Sequence, residues 1–348
     1  MIIYLVFLLI PLAMSFNYSH TKKNPKLGVW LYFIPLVIFT GLRDDIGPDW
    51  SGYQYIYDHY ENYQTLSVVD IFQFSEFGFF LINKFSDSLG FGLHGVMFFC
   101  SLVFLWGVFS FALKTANPWL GIAIVMPYLI FVISMSGARQ ATAMGFGFYL
   151  LSRWNNSSIL LKVFWILLAV SFHNSAAILL FLVLFTIKVR RIWKVIMATF
   201  LFLFLIIGLN QMEVYEKYRS VYIEQNVVSG GAFFHVLLSA FPAALYLWYR
   251  RKISKIVEIN PAVDIAAFMS LAALPLVFIS STGVDRLALY FSFIQMWVYG
   301  ALIQTFPVNK NVWKIFACML TLSIFLVYFI FGTHAYAYIP YKNVIFTW

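Results

Sequence analysis

Continuous apolar runs, separated by short polar breaks, recur along this chain from its first residues to residue 332. Runs such as Ile192 to Leu209 and Ile315 to Phe331 approach the length a helix needs to cross a ~30 Å hydrocarbon core at about 1.5 Å of rise per residue. Inside hydrocarbon, every backbone N–H and C=O must find its partner within the protein, which a helix achieves locally. A membrane β-barrel would instead show short segments of alternating polarity. Only 11% of the residues are charged and 62% are hydrophobic, whereas a soluble domain is about a quarter charged, so a water-soluble globule is excluded too. The expected fold class is all-α: one integral membrane domain over 1–348, with polytopic topology.

The runs predict about twelve transmembrane helices, at 1–16, 28–41, 92–113, 119–136, 138–153, 158–172, 175–187, 192–209, 232–249, 264–282, 286–303 and 313–332. The first run has no basic leader or small-residue cleavage signal and reads as a retained helix. Twelve crossings put alternate breaks on opposite sides. Sixteen of the 23 lysines and arginines fall on one side with two acids, Glu258 and Asp264, and the other side has seven against twelve acids. Cationic loops stay in the cytoplasm, so both termini are expected outside. The formal charge of +9 therefore reports topology, and no nucleic-acid partner is expected.

The longer hydrophilic segments, within 42–91 and 210–231, both fall on the outer side. In the first, Ile71 to Leu89 mixes apolar residues with Glu76, Asn83, Lys84 and Asp87, as expected of an amphipathic helix at the interface. Chemistry is thus expected on the outer face. Cys100 and Cys318 lie inside apolar runs and give no disulfide framework or metal-ligand spacing.

Four outward segments concentrate polar residues. Gly41-Leu42-Arg43-Asp44-Asp45-Ile46-Gly47-Pro48-Asp49-Trp50-Ser51-Gly52-Tyr53 follows the second run, and its glycines and proline imply a shaped turn. Arg43 offers a phosphate fork there, or is held by Asp44 or Asp45; the acids offer sugar-hydroxyl acceptors. Arg139-Gln140 opens the fifth helix. Arg139 lies about 21 Å of helix from Arg153, short of a full crossing, so it is expected below the outer surface, where an arginine must pair or face water. His173, in Ser171-Phe172-His173-Asn174-Ser175, sits between two short runs and is a candidate proton acceptor or an inert turn histidine. Arg286 is expected in the first turn of a returning helix, as an anion contact or neutralised by Asp285. Arginines converging on one face suit a polyanion such as a diphosphate.

These segments resemble the EpsG family of Wzy-like exopolysaccharide and O-antigen polymerases. The resemblance rests on Gly41-Leu42-Arg43 with Gly47, Asp49 and Tyr53; on Arg139-Gln140 with Ala143; on Ser171-Phe172-His173 with Ser175-Ala176; and on Asp285-Arg286 leading to Tyr290. More weakly, it includes Tyr338 to Tyr341. It implies a GT-C-like glycosyltransferase of the bacterial inner membrane that joins undecaprenyl-diphosphate-linked oligosaccharide repeats at the outer face, alongside other polysaccharide assembly proteins. The alternatives are a flippase of the same lipid or an O-antigen ligase.

On this reading the leaving group is already activated, so the protein must stabilise its charge and take one proton from the acceptor hydroxyl. His173 is the expected base, with Asp49 second. The expected substrate contacts are Arg139 and Arg286 as diphosphate clamps, Arg43 in support, Gln140 and Asp45 nearby, and Trp50, Tyr53 and Tyr290 stacking on sugar rings. No cofactor or metal is expected, although Asp44, Asp45 and Asp49 could supply oxygen ligands to a divalent ion.

Overall fold

In the computed structural model the described residues are 1–18, 25–59, 76–187, 231–306 and 310–346, with 189–190, 192–197 and 199. They are helical, with a single isolated β-bridge between Arg43 and Asn343. Numbered along the chain, the helices are α1 (Ile2–Asn17), α2 (Lys26–Gly41), α3 (Trp50–His59), α4 (Phe77–Ser88), α5 (Gly92–Ala112), α6 (Pro118–Ser136) and α7 (Ala138–Ser152). They continue with α8 (Ile159–Phe172), α9 (Asn174–Thr186), α10 (Ala232–Ile253), α11 (Pro261–Leu276), α12 (Ser281–Phe291), α13 (Phe293–Thr305) and α14 (Lys310–Phe331).

By length and apolarity, α5, α6, α10 and α14 can each cross a membrane, and α12 and α13, bent by 48° at their junction, are long and apolar enough to do so together. Five further helices, α1, α2, α8, α9 and α11, are apolar but shorter. The chain is an integral membrane protein, and its surface agrees with that. Leu160, Trp248, Ile279 and Phe331 are each 78–83% exposed, a cost in water that lipid removes. Helix α6 lies at the centre, 89% buried over its apolar window, while α14 at 28% stands on the periphery.

Hydrogen bonds fix the two ends of the bundle. At one end, Tyr4 Oη donates to the Tyr338 carbonyl (2.9 Å) and Tyr341 Oη to that of Phe39 (2.5 Å). There Asp44 N–H donates to Lys342 O (3.2 Å) and Val344 N–H to Leu42 O (2.9 Å), so the start of α1, the loop after α2 and the tail after α14 meet. At the opposite end, Asn117 Nδ2 donates to Ser15 O (3.2 Å) and Asn260 Nδ2 to Leu151 O (3.3 Å). Arg250 grips Asp264 there with two bonds of 2.6 and 2.7 Å, tying α10 to α11.

Each expected apolar run within the described residues is helical, but two boundaries move. Helix α11 stops at Leu276 and the next helix begins at Ser281, five residues before the expected start at Arg286. Arg286 therefore lies in the last turn of the Ser281–Ala288 segment, and the attraction of a helix N-terminus for anions does not apply to it. The expected amphipathic helix begins at Phe77 and buries Phe79, Phe80, Ile82 and Ser86 against its neighbours while exposing Leu81 and Phe85. Residues 60–75, the expected loop up to residue 230 and most of run 192–209 lie outside the described residues.

Candidate functional site

Glu76 precedes the first turn of α4, and its side chain, which makes no capping bond to the helix, lies between two of the expected site residues. One carboxylate oxygen pairs with Arg139 Nη1, and the other meets His173 Nδ1 at 3.0 Å. The position of α4 depends on a glycine. A Cβ on Gly78 would stand 2.6 Å from Ser171 Oγ and 2.7 Å from the Phe172 ring, so the absent side chain lets the head of α4 rest on the end of α8, beside His173.

Burial opposes charge on Glu76, but the Arg139 guanidinium and the His173 hydrogen bond outweigh it and hold the carboxyl down at about 2. Glu76 is therefore an acceptor-only carboxylate at neutral pH. The imidazole nitrogen facing it must donate, which in the neutral ring leaves the lone pair of His173 on Nε2. Nε2 has no hydrogen-bond partner among the described residues. The cluster is partly open, with side-chain exposures of 31% for Arg139, 18% for His173 and 10% for Glu76.

Aromatic rings hold Arg139. Its guanidinium carbon stands 5.9 Å from the Tyr53 ring centre and 5.7 Å from that of Phe79. Its backbone N–H donates to Tyr53 Oη at 3.4 Å. Burial pushes the Tyr53 hydroxyl up to about 12, so it stays protonated. Next along α7, Gln140 Nε2 donates to the Arg286 carbonyl (2.6 Å), which joins α12 to this cluster, and Tyr290 Oη meets Ser175 Oγ at 3.1 Å on the same side. Asp49 accepts from Ser136 Oγ (2.8 Å), one turn before Arg139.

Arg43 takes a different position from the one expected. Its side chain is fully buried, and it donates to the carbonyls of Thr40 (2.7 Å), Met135 (3.2 Å) and Ile46 (3.4 Å), with Met97 Sδ at 3.3 Å from Nη2. Neither neighbouring acid holds it. Asp44 pairs with His94 (2.9 Å), and Asp45, exposed at φ +50°, with Lys342 (3.5 Å). Trp50 packs beside Arg43 and His94, with its ring centre 5.9 Å from the guanidinium carbon. The loop is held close by Gly47, whose φ of +98° and whose contact with the Met135 carbonyl leave no room for a side chain.

The structure thus brings Arg139, Gln140, His173, Tyr53, Tyr290 and the Arg286 backbone together, and leaves the guanidinium of Arg43 and the side chain of Asp45 elsewhere. Asp44, Asp45 and Asp49 each take a separate partner, and no group of three metal-ligating side chains occurs among the described residues. Two participants were not singled out from the sequence as site residues. Glu76 read as one polar residue of an amphipathic helix. His235 sits in an otherwise apolar run, yet its Nδ1 meets Asp285 Oδ2 at 3.1 Å and its ring stacks on Tyr128, 4.3 Å away. Tyr128 belongs to a π-helical stretch, Met126–Ile133, that begins beside Pro127 and widens the middle of α6.

Fold and site together define a helical integral membrane protein with an Arg–Glu–His cluster at one end of its bundle. The family model for EpsG matches residues 26–343, nearly the whole chain, and the protein belongs to the EpsG family. No curated protein and no solved structure matches it.

Proposed function

We propose that this chain is a Wzy-like polysaccharide polymerase that joins lipid-linked oligosaccharide repeats at the outer face of the bacterial inner membrane. In this reading twelve helices cross the membrane in a GT-C-like arrangement, both termini face outward, and the Glu76 end of the bundle is the outer end. The growing glycan sits on undecaprenyl diphosphate. A hydroxyl of the incoming repeat attacks the anomeric carbon, the bond to the diphosphate oxygen breaks, and the lipid diphosphate leaves with the bonding electrons.

His173 Nε2 takes the proton of the attacking hydroxyl, while Glu76 fixes the ring and stabilises the imidazolium that forms. Arg139, with five donors and a partly open guanidinium, stabilises the charge growing on the diphosphate. Arg286 is the second cation, carried into reach by the Gln140 bond to its carbonyl. Gln140, Tyr53 and Tyr290 shape the pocket, and Asp49 lines its edge. Single displacement inverts the anomeric carbon.

The observation that supports this reading most is Glu76 joining Arg139 to His173, in a chain whose family membership points to exopolysaccharide polymerisation. The test is purified protein with defined lipid-linked repeats and no nucleotide sugar. Glycan chains that lengthen with release of lipid diphosphate are expected. Transfer of labelled lipid across a bilayer with no lengthening would replace the polymerase by a flippase, and transfer of finished polymer to a different acceptor would replace it by a ligase.

A further inference from the structure

The end of the bundle opposite the Glu76 cluster holds a cavity of about 350 Å³ whose lining includes Lys26, Trp30, Lys114, Tyr149, Arg153 and Asn156, and no carboxylate. An adjoining cavity of about 250 Å³ shares Lys114, Arg153 and Asn156. The acid lining this second space, Glu258, accepts from Asn155 Nδ2 at 3.2 Å.

A single cation at a helix C-terminus is explained by the helix dipole, and Arg153, which caps α7, and Lys114, just past α5, both stand at such ends. The dipole does not explain why cations from three separate parts of the chain line one acid-free hollow, where they repel one another. Neither Lys114 nor Arg153 makes a salt bridge to a described carboxylate. The first turn of α8, at Leu161, also lines the hollow, but its N–H is already taken by the capping Ser158 Oγ (3.2 Å), so the cations carry the attraction.

We propose that this recess binds a phosphate-ester anion. Leu27, Leu31 and Leu160, next along the chain to lining residues, are 59–83% exposed, so an anionic phospholipid can place its headgroup among the cations and its acyl chains along those leucines. A soluble phosphate would satisfy the same cations, and the experiment separates the two sources. The inference rests on the bundle alone and is independent of the glycosyl-transfer reading.

Purified full-length protein in neutral detergent is titrated with phosphatidylglycerol and, separately, with inorganic phosphate, and bound ligand is counted by native mass spectrometry. The K114Q/R153Q variant is compared with R251Q/K255Q, which removes two exposed cations that line neither cavity. Phosphatidylglycerol should bind the wild type and R251Q/K255Q alike and bind K114Q/R153Q roughly tenfold more weakly, as expected for lost charge-assisted contacts. If instead inorganic phosphate alone shows that loss, the ligand is the soluble anion. If neither probe separates K114Q/R153Q from R251Q/K255Q, the proposal is overturned. Should K114Q/R153Q fail to fold, K114Q and R153Q taken singly decide, each expected to bind severalfold more weakly than the wild type.

Discussion

Arg43 and Arg139 stand at the same end of the bundle, and the sequence offers both as candidate diphosphate contacts, yet the protein uses them differently. Arg43 is sealed among carbonyl oxygens and a methionine sulfur, where its donors hold the loop after α2 to α6. Arg139 faces one carboxylate and two aromatic rings, with 31% of its side chain exposed. What separates a structural guanidinium from a binding one is the partner set. Carbonyls satisfy donors without cancelling charge, and enclosure leaves no path for a ligand. A carboxylate shared with a histidine couples the cation to proton chemistry and leaves it open to a second anion.

Substitutions at four positions break or sharpen that contrast. Arg43→Ala should have the largest effect, because it leaves several buried carbonyls without donors. A loss of about 3 kcal/mol or more is expected, seen as a lower thermal midpoint and poor recovery in detergent. Arg43→Lys should not restore it, since an ammonium lacks the planar fork. Arg139→Ala should also lower the thermal midpoint, because Glu76 loses its partner, but the protein that folds and inserts should extend chains more slowly by roughly 10²–10³, the usual effect of removing a donor to developing charge. Wild-type chain extension per folded molecule in Arg139→Ala would erase the distinction.

Glu76→Gln is expected to rank third. The wild-type carboxyl titrates at about 2, below its ordinary 4.5, so its stabilising contribution is present above pH 4.5 and is lost as pH falls towards 2. The gap between wild type and Glu76→Gln, on the order of 3 kcal/mol at neutral pH, should therefore close over that window, and thermal midpoints measured across it check the sign. The smallest effect belongs to Asp45→Ala. Its carboxylate is exposed and 3.5 Å from Lys342, so stability should change by less than about 0.5 kcal/mol, with polymer length unaltered. Shortened polymer would return Asp45 to the site.

Much of this was legible because hydrophobic runs of helical length report themselves, as at 92–113 and 119–136. Two members of the Glu76 cluster also stood out, since Arg139 and His173 interrupt apolar sequence, where polar groups are costly. Glu76 was not readable, because its significance lies in contacts with residues 63 and 97 positions further along, and an amphipathic helix carries acids for solubility as often as for chemistry. The enclosure of Arg43 depends on Met135 and on the tail around Asn343, and no local pattern announces either. The shift in α12 has a local cause: Gly283 and Asp285 break the apolar pattern, so the expected run begins at Arg286 although the helix itself begins at Ser281.

The most direct test compares chain extension of a purified lipid-linked repeat by the wild type and by His173→Ala, at matched protein folding and neutral pH. If His173 Nε2 removes the acceptor proton, the variant should bind substrate and lose about 10²–10⁴ in the rate of extension. A variant that extends glycan at the wild-type rate would contradict that assignment and pass the role to Asp49.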